Sequence, residues 1–191
     1  MKTTANVKAF IWANLFIMGF CILISCRNGM QSNASLGGDP VKDTTNIAKD
    51  AKFLTKVALI NIEEIRLGEL AQQNSSMRDV KEFGEMMEVD HQKSQEELTQ
   101  LAAKKSMILP TVLDATAEAD YKKLSGKSGA EFDSEYINMM VNGHKDAIAL
   151  FKLEATDATD ADIRQWAKGT LPTLQKHLDD ATACEEKCKN M

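Results

Sequence analysis

The chain is predicted to be all-α, a four-helix bundle with a long crossover between the second and third helices. Three observations predict it. From Ile47 onward apolar residues recur at spacings of three and four, and no stretch has the period-two alternation of a strand. Two of the connections between periodic segments are short, which forces those neighbours to be antiparallel hairpins. The third connection, 106–128, is long enough to travel the length of a helix of about 28 residues, roughly 42 Å.

Ahead of these helices lies an address. Lys2 and Lys8 precede the apolar run "AFIWANLFIMGFCILIS", so residues 1–25 read as a signal segment rather than part of the fold. "LISC", residues 23–26, resembles the bacterial lipobox, with Ser25 as the small residue at the cut and Cys26 as the lipidated cysteine. The competing reading is an uncleaved N-terminal anchor, and both readings place the remainder outside the cytoplasm. Arg27 and Asn28 follow Cys26 where an aspartate would retain a lipoprotein in the inner membrane. By resemblance to enterobacterial sorting, that points to an outer-membrane lipoprotein facing the periplasm.

Residues 26–46, rich in turn formers and poor in apolar side chains, read as a flexible tether, and 47–191 as the bundle domain. At 43% hydrophobic and 6% aromatic, the composition suffices for one domain with a core. Loss of Lys2 and Lys8 on cleavage takes the net charge from −5 to −7. Such a surface offers no basic stripe for nucleic acid, and the membrane contact expected is the lipid on Cys26. A protein partner is left open.

The first helix is expected over Ile47–Gln73, with Phe53, Val57, Ile60, Glu64, Leu67 and Ala71 on one face. The second, from about Ser76 to Lys105, presents Val80, Phe83, Met87, His91, Ser94, Leu98 and Leu101. Pro110, an Asp114 cap, a short helix through Leu124 and Gly126 fill the connection. The third long helix opens at Ser128, where "SGAE" fits a capping box, and shows Phe132, Tyr136, Met140, His144, Ile148 and Phe151. The fourth opens near Thr159, where "TDAD" suggests Asp162 reaching back. Its face is Ile163, Trp166, Thr170, Leu174, His177 and Ala181. A plain up-down-up-down bundle would not need the 106–128 linker, so a ferritin-like crossover is the expectation.

Each apolar face is interrupted by one group that is costly to bury: Glu64, His91, His144 and His177. They are the chain's three histidines and one carboxylate, each on its own helix, within a band of heights of roughly 9 Å. Buried polar groups need partners, and each residue alone reads as a hydrogen-bonded core group. Together they suit one transition-metal ion, because neutral imidazole binds zinc, copper or iron and a carboxylate compensates charge. The set lacks the two Glu-x-x-His pairs of a di-iron centre; only Glu88 and His91 in "EVDH" have that spacing. Asp90 is the candidate for orienting a ligand histidine, or for replacing one. Pro172 falls on the face opposite the Leu174 stripe, toward solvent, where it removes the hydrogen bond to the Lys168 carbonyl and bends the helix.

"EIRLGELA", "MMEVDHQKSQEEL", "GAEFDSEYINMMVNGHKDAIALF" and "LPTLQKHL" resemble the segments of a widespread bacterial domain of unknown function. Its members are secreted or lipid-anchored, often labelled predicted outer-membrane proteins, and described as ferritin-like helical bundles. The resemblance covers about Phe53 to Ala183 and maps onto Glu64, Asp90, His91, Asp133, His144, Glu154, Pro172 and His177. Members usually carry an acid before the third-helix histidine, where this chain has Gly143. The resemblance implies a fold and an envelope location but no activity.

Cys184 and Cys188 in "CEEKC" are a candidate disulfide, although cysteines spaced i, i+4 on a helix can bridge only if the helix end frays. Free thiols and a soft-metal clamp are the alternatives. No nucleophile–base pair, phosphate loop or nucleotide fingerprint appears, which favours a binding module over an enzyme. The alternatives are a metal-dependent enzyme acting on oxygen species and a purely structural bundle. The lipobox reading predicts that cells fed a labelled fatty acid label the wild type and not Cys26→Ser. Label persisting in Cys26→Ser, or a mature N-terminus elsewhere, contradicts it.

Overall fold

The computed structural model describes residues 40–190; the expected signal segment and the expected lipidation site Cys26 lie outside them. The described residues form five helices: α1 (Pro40–Asn74), α2 (Arg78–Lys104), α3 (Ala115–Ser125), α4 (Gly129–Asp157) and α5 (Ala161–Lys189). They contain no strand, and none of these helices is long and apolar enough to cross a membrane.

The expected apolar faces are the buried ones, with Ile60, Ser94, Trp166 and Thr170 only half-buried. Helix α1 starts at Pro40, seven residues before the expected Ile47. Proline suits a first helical turn because its missing N–H would lack a partner there anyway. Residues 45–49 stay largely exposed, so no apolar period marks this extension.

Two caps differ from expectation. Ser128 stands at the N-cap of α4 without a side-chain cap bond. Gly129 after it takes φ +60°, and Glu131, which was to reach back, pairs with Lys127 instead. Helix α5 is capped by Asp160, not Thr159: its carboxylate accepts from the backbone N–H groups of Asp162 and Ile163. Asp162 turns outward to Lys105 at 2.8 Å. The expected Asp114 cap of α3 does form, accepting from Thr116 and Ala117.

Helices α1 and α2 pair as one hairpin and α4 and α5 as another. Their directions follow from contacts at the ends. Lys49 near the start of α1 meets Glu154 near the end of α4, whereas Asn74 at the end of α1 donates to the Lys127 carbonyl just before α4. Lys105 just after α2 meets Asp160 at the start of α5, and Asp79 near the start of α2 meets Lys187. Helices α1 and α4 are thus antiparallel, as are α2 and α5, so α2 and α4 run the same way. The 105–128 connection must therefore return from one end to the other. It lies against α1, where Arg66 pairs with Glu118 at 3.0 Å and sits 4.0 Å above the Tyr121 ring.

Each hairpin's turn is held by an acid from the other hairpin. Asp50 of α1 accepts from the Thr159 and Asp160 N–H groups at 3.1 and 2.9 Å, satisfying the α4–α5 turn. Asp133 of α4, fully buried, accepts from the N–H and hydroxyl of Ser76 in the α1–α2 turn. The apolar core divides into two clusters. One contains Leu67, Val80, Phe83, Phe132 and Tyr136; the other contains Phe53, Val57, Leu98, Phe151 and Ile163.

Helices α1 and α2 touch backbone to backbone at Gly68 and Gly84. A Cβ on Gly84 would stand 2.7 Å from Ala71 Cβ and 2.8 Å from the Gly68 carbonyl oxygen. Glycine in a helix normally costs about 1 kcal/mol relative to alanine, so only this approach explains the pair. Gly84→Ala is therefore expected to destabilise the fold by about 1–3 kcal/mol through overpacking, read from urea unfolding. A neutral or stabilised variant contradicts the close crossing.

Candidate functional site

Between the two apolar clusters lies a polar layer, and all four expected residues are in it. Glu64 on α1, His91 on α2, His144 on α4 and His177 on α5 are each no more than 6% exposed. Glu64 sits one turn before the Gly68 crossing and His91 two turns after Gly84, so the glycine contact sets how closely these two approach. Glu64 Oε2 lies 2.7 Å from His91 Nε2 and 3.5 Å from His144 Nε2. His144 Nε2 lies 3.3 Å from His177 Nδ1. One ligand atom from each histidine falls within 4.8 Å of those of the other two.

The outer nitrogens decide what faces the centre. His144 Nδ1 lies 2.9 Å from the Met140 carbonyl oxygen, which can only accept, so Nδ1 carries the proton. His177 Nε2 lies 2.9 Å from the Asp90 carboxylate and is likewise the donor. His91 Nδ1 lies 3.0 Å from the Asn61 amide oxygen, whose own nitrogen donates to Gln95. With those protons outward, neutral rings present lone pairs at His91 Nε2, His144 Nε2 and His177 Nδ1. These three nitrogens and Glu64 Oε2 all turn to one region.

Such an arrangement is poor as a closed hydrogen-bond network. His144 Nε2 and His177 Nδ1 face each other with no proton between them. Glu64 Oε2 and His91 Nε2 are buried and lack a hydrogen-bond partner despite their 2.7 Å separation. An unsatisfied buried polar group costs about 1–3 kcal/mol. A cation at the centre, either a proton shared by Glu64 and His91 or a metal ion, removes the conflict. Two ligands each about 2.05 Å from a tetrahedral ion stand about 3.3 Å apart, the separation of His144 Nε2 and His177 Nδ1.

Burial raises the Glu64 carboxyl, but the His91 and His144 imidazoles outweigh it and hold the group down to about 2. The His177 imidazole is lowered to about 4, first by burial, with its hydrogen bond to Asp90 opposing and the other two rings adding to the depression. Glu63, next to Glu64 in sequence, lines a cleft of about 210 Å³ between α1 and α4, together with Glu64, Gly143 and Asp146. Burial and then the Glu64, Asp120 and Asp114 charges push Glu63 up to about 7. A Cβ on Gly143 would stand 3.7 Å from Glu64 Oε1. The glycine thus leaves the cleft in reach of the carboxylate.

Asp90 meets His177, on the facing helix, rather than the adjacent His91. Glu88 turns away from the centre to accept from Gln72 at 2.7 Å, so the single Glu-x-x-His spacing brings no second carboxylate. Asn61 was missed, although it lies one turn before Glu64 on the same buried face and is itself 1% exposed. The Met140 carbonyl carries no side-chain signal. Of the residues picked out by resemblance, Asp133 holds the α1–α2 turn and the buried Glu154 pairs with Lys49 at 3.6 Å. Pro172 is exposed within an α5 that continues through it. Cys184 and Cys188 are free thiols on unbroken helix.

Both centre shifts act in the same direction with pH. Glu64 contributes stability above its ordinary value of 4.5 that is lost as pH falls toward about 2. Between 6.5 and about 4 the unfolded chain protonates His177 and the folded chain does not, so acid favours unfolding there too. Chelator-treated protein should lose stability as pH falls through that 6.5-to-4 window, with a smaller slope in His177→Gln. Equal slopes in the two proteins contradict a neutral buried His177.

Neither the curated proteins nor the solved structures contain a match to this chain. The family described as Domain of unknown function (DUF4142) matches residues 38–184, which include α1 to α4 entire, α5 as far as Cys184, and every member of the polar layer. The chain belongs to the DUF4142 family.

Proposed function

We propose that this chain is a ferritin-like bundle that holds one transition-metal ion between its four long helices through Glu64, His91, His144 and His177. The observation that carries the reading is the orientation of the three imidazoles. Each outer nitrogen is committed to an acceptor, Asn61, the Met140 carbonyl or Asp90, and each inner lone pair is left for a cation. Outer partners of this kind fix the tautomer and raise the basicity of metal-ligating histidines. Three neutral nitrogens and one carboxylate suit zinc, copper(II) or iron(II) rather than magnesium or calcium.

Four protein ligands close a tetrahedral site, as structural rather than catalytic centres do. The protein is therefore best understood as a metal-binding module of the bacterial envelope, carried on an outer-membrane lipid at Cys26 and facing the periplasm. The cleft that reaches Glu64 supports a second reading, a metal-dependent enzyme acting on oxygen species, because a carboxylate that shifts would open a coordination position to that cleft. Turnover of peroxide or superoxide well above that of free metal distinguishes it.

Metal analysis of the purified full-length chain tests the site. One equivalent of metal is expected, absent from His91→Ala and His177→Ala. Asn61→Leu and Asp90→Asn should retain the fold but weaken affinity by about 10–100-fold. A wild type that stays empty after titration with zinc, copper and iron contradicts the proposal, as does metal retained in both histidine variants.

A further inference from the structure

The C-terminal thiols lie outside the histidine centre. Cys184 is seven residues beyond His177 on α5, about 10 Å along the axis at 1.5 Å per residue. Cys184 and Cys188 are one helical turn apart, so both leave the same face, with Cβ atoms about 5–6 Å apart. That face packs on the start of α2. Cys188 Sγ lies 3.5 Å from Met77 Sδ, and Cys184 Sγ lies 3.8 Å from the Asp79 carbonyl. Both thiols thus face the segment Met77–Asp79, Cys188 at the Met77 thioether and Cys184 at the Asp79 carbonyl.

We propose that Cys184, Cys188 and Met77 form a second metal site, one that takes a single copper(I) ion in an all-sulfur shell. Three sulfurs about 2.3 Å from one ion in a plane stand about 4 Å apart, and the Cys188–Met77 pair is already at 3.5 Å. The thioether selects the ion: it is soft and neutral, suited to copper(I), whereas a zinc site would be completed by further thiolate or imidazole. Binding deprotonates both thiols and releases two protons, leaving one net negative charge on the complex. That charge falls beside the N-terminus of α2, capped by Met77 without a side-chain cap bond, where the helix dipole favours an anion. Lys187 and Asp79 pair at 2.5 Å beside it and cancel each other's charge. Burial raises both thiols, Cys184 to about 11. Ion access is open on two sides, since Cys188 and Cys184 each line a surface cleft.

The pair also bears on the candidate disulfide between Cys184 and Cys188. A bridge between Cys184 and Cys188 would need α5 to unwind, yet the helix continues to Lys189. Copper(I) can join the same two sulfurs without breaking the helix.

The test uses the full-length chain with Cys21→Ser and Cys26→Ser, which leaves Cys184 and Cys188 as its only thiols. Reduced protein is titrated anaerobically with copper(I) against bicinchoninate and studied by X-ray absorption. One copper per chain with sulfur neighbours only is expected. Cys184→Ser and Cys188→Ser should each abolish uptake, and Met77→Leu should weaken it by about tenfold or more. His91→Ala and His177→Ala should leave it unchanged, which separates this site from the histidine centre. Circular dichroism checks that the variant at half-exposed Cys188 remains folded. Nitrogen in the copper shell, uptake that survives either cysteine substitution, or loss of uptake in the histidine variants overturns the proposal. So does a Cys184–Cys188 disulfide that forms and persists in the presence of copper(I).

Discussion

The arrangement of this protein turns on one carboxylate buried among three imidazoles. Glu64 lies between two apolar clusters, where an isolated ion would be too costly to keep. His91 and His144 approach its Oε2 at 2.7 and 3.5 Å, and a cation between them, a shared proton or a metal ion, is what offsets that cost. Once Glu64 is fixed, each of the other three long helices must bring one ring to the same height. The polar layer therefore specifies the register of the fold: sliding any helix by one turn would strand its own polar group in an apolar cluster. Buried polar groups are weak contributors to net stability but effective at specifying one arrangement, and here the arrangement is a point where four helices each present one polar group.

The rest of the framework holds that point in place. Gly68 and Gly84 bring α1 and α2 into backbone contact next to the layer. Asp50 and Asp133 each reach from one hairpin to the turn of the other, locking the two hairpins at both ends. The return strap, with α3 on it, is held to α1 through Arg66. Outside the rings, Asn61, the Met140 carbonyl and Asp90 orient them. Ring orientation rather than proximity alone makes the layer a plausible ligand set, since histidines with inward protons could satisfy Glu64 without any ion.

Much of this was legible in the chain. Apolar residues at spacings of three and four marked all four long helices, because burial of one face imposes that period. Polar interruptions on those faces marked Glu64 and the histidines, because burying them needs a reason. The length of the 106–128 connection marked the crossover. What could not be read was set by contacts between helices. That Asp90 serves His177 and not its neighbour His91 depends on which faces meet across α2 and α5. The role of Asp50 has no sequence signal, because its partners, two backbone N–H groups, carry no residue type. The α1 extension to Pro40 carries no apolar residues at spacings of three and four that continue the Phe53 face, and so leaves no pattern. At Ser128 the capping-box residues were present, but Gly129 and the Lys127–Glu131 pair draw the chain into a different start.

The central claim is that three neutral imidazoles turn their lone pairs to one point. Long-range nitrogen–proton NMR reads the tautomer of each ring, and the chain has only three histidines to assign. In chelator-treated protein at neutral pH the account predicts protons on His144 Nδ1 and His177 Nε2. On zinc addition it predicts coordination shifts at His91 Nε2, His144 Nε2 and His177 Nδ1, complete at one equivalent. Rings with the opposite tautomers, or inner nitrogens that do not respond to the metal, would contradict it.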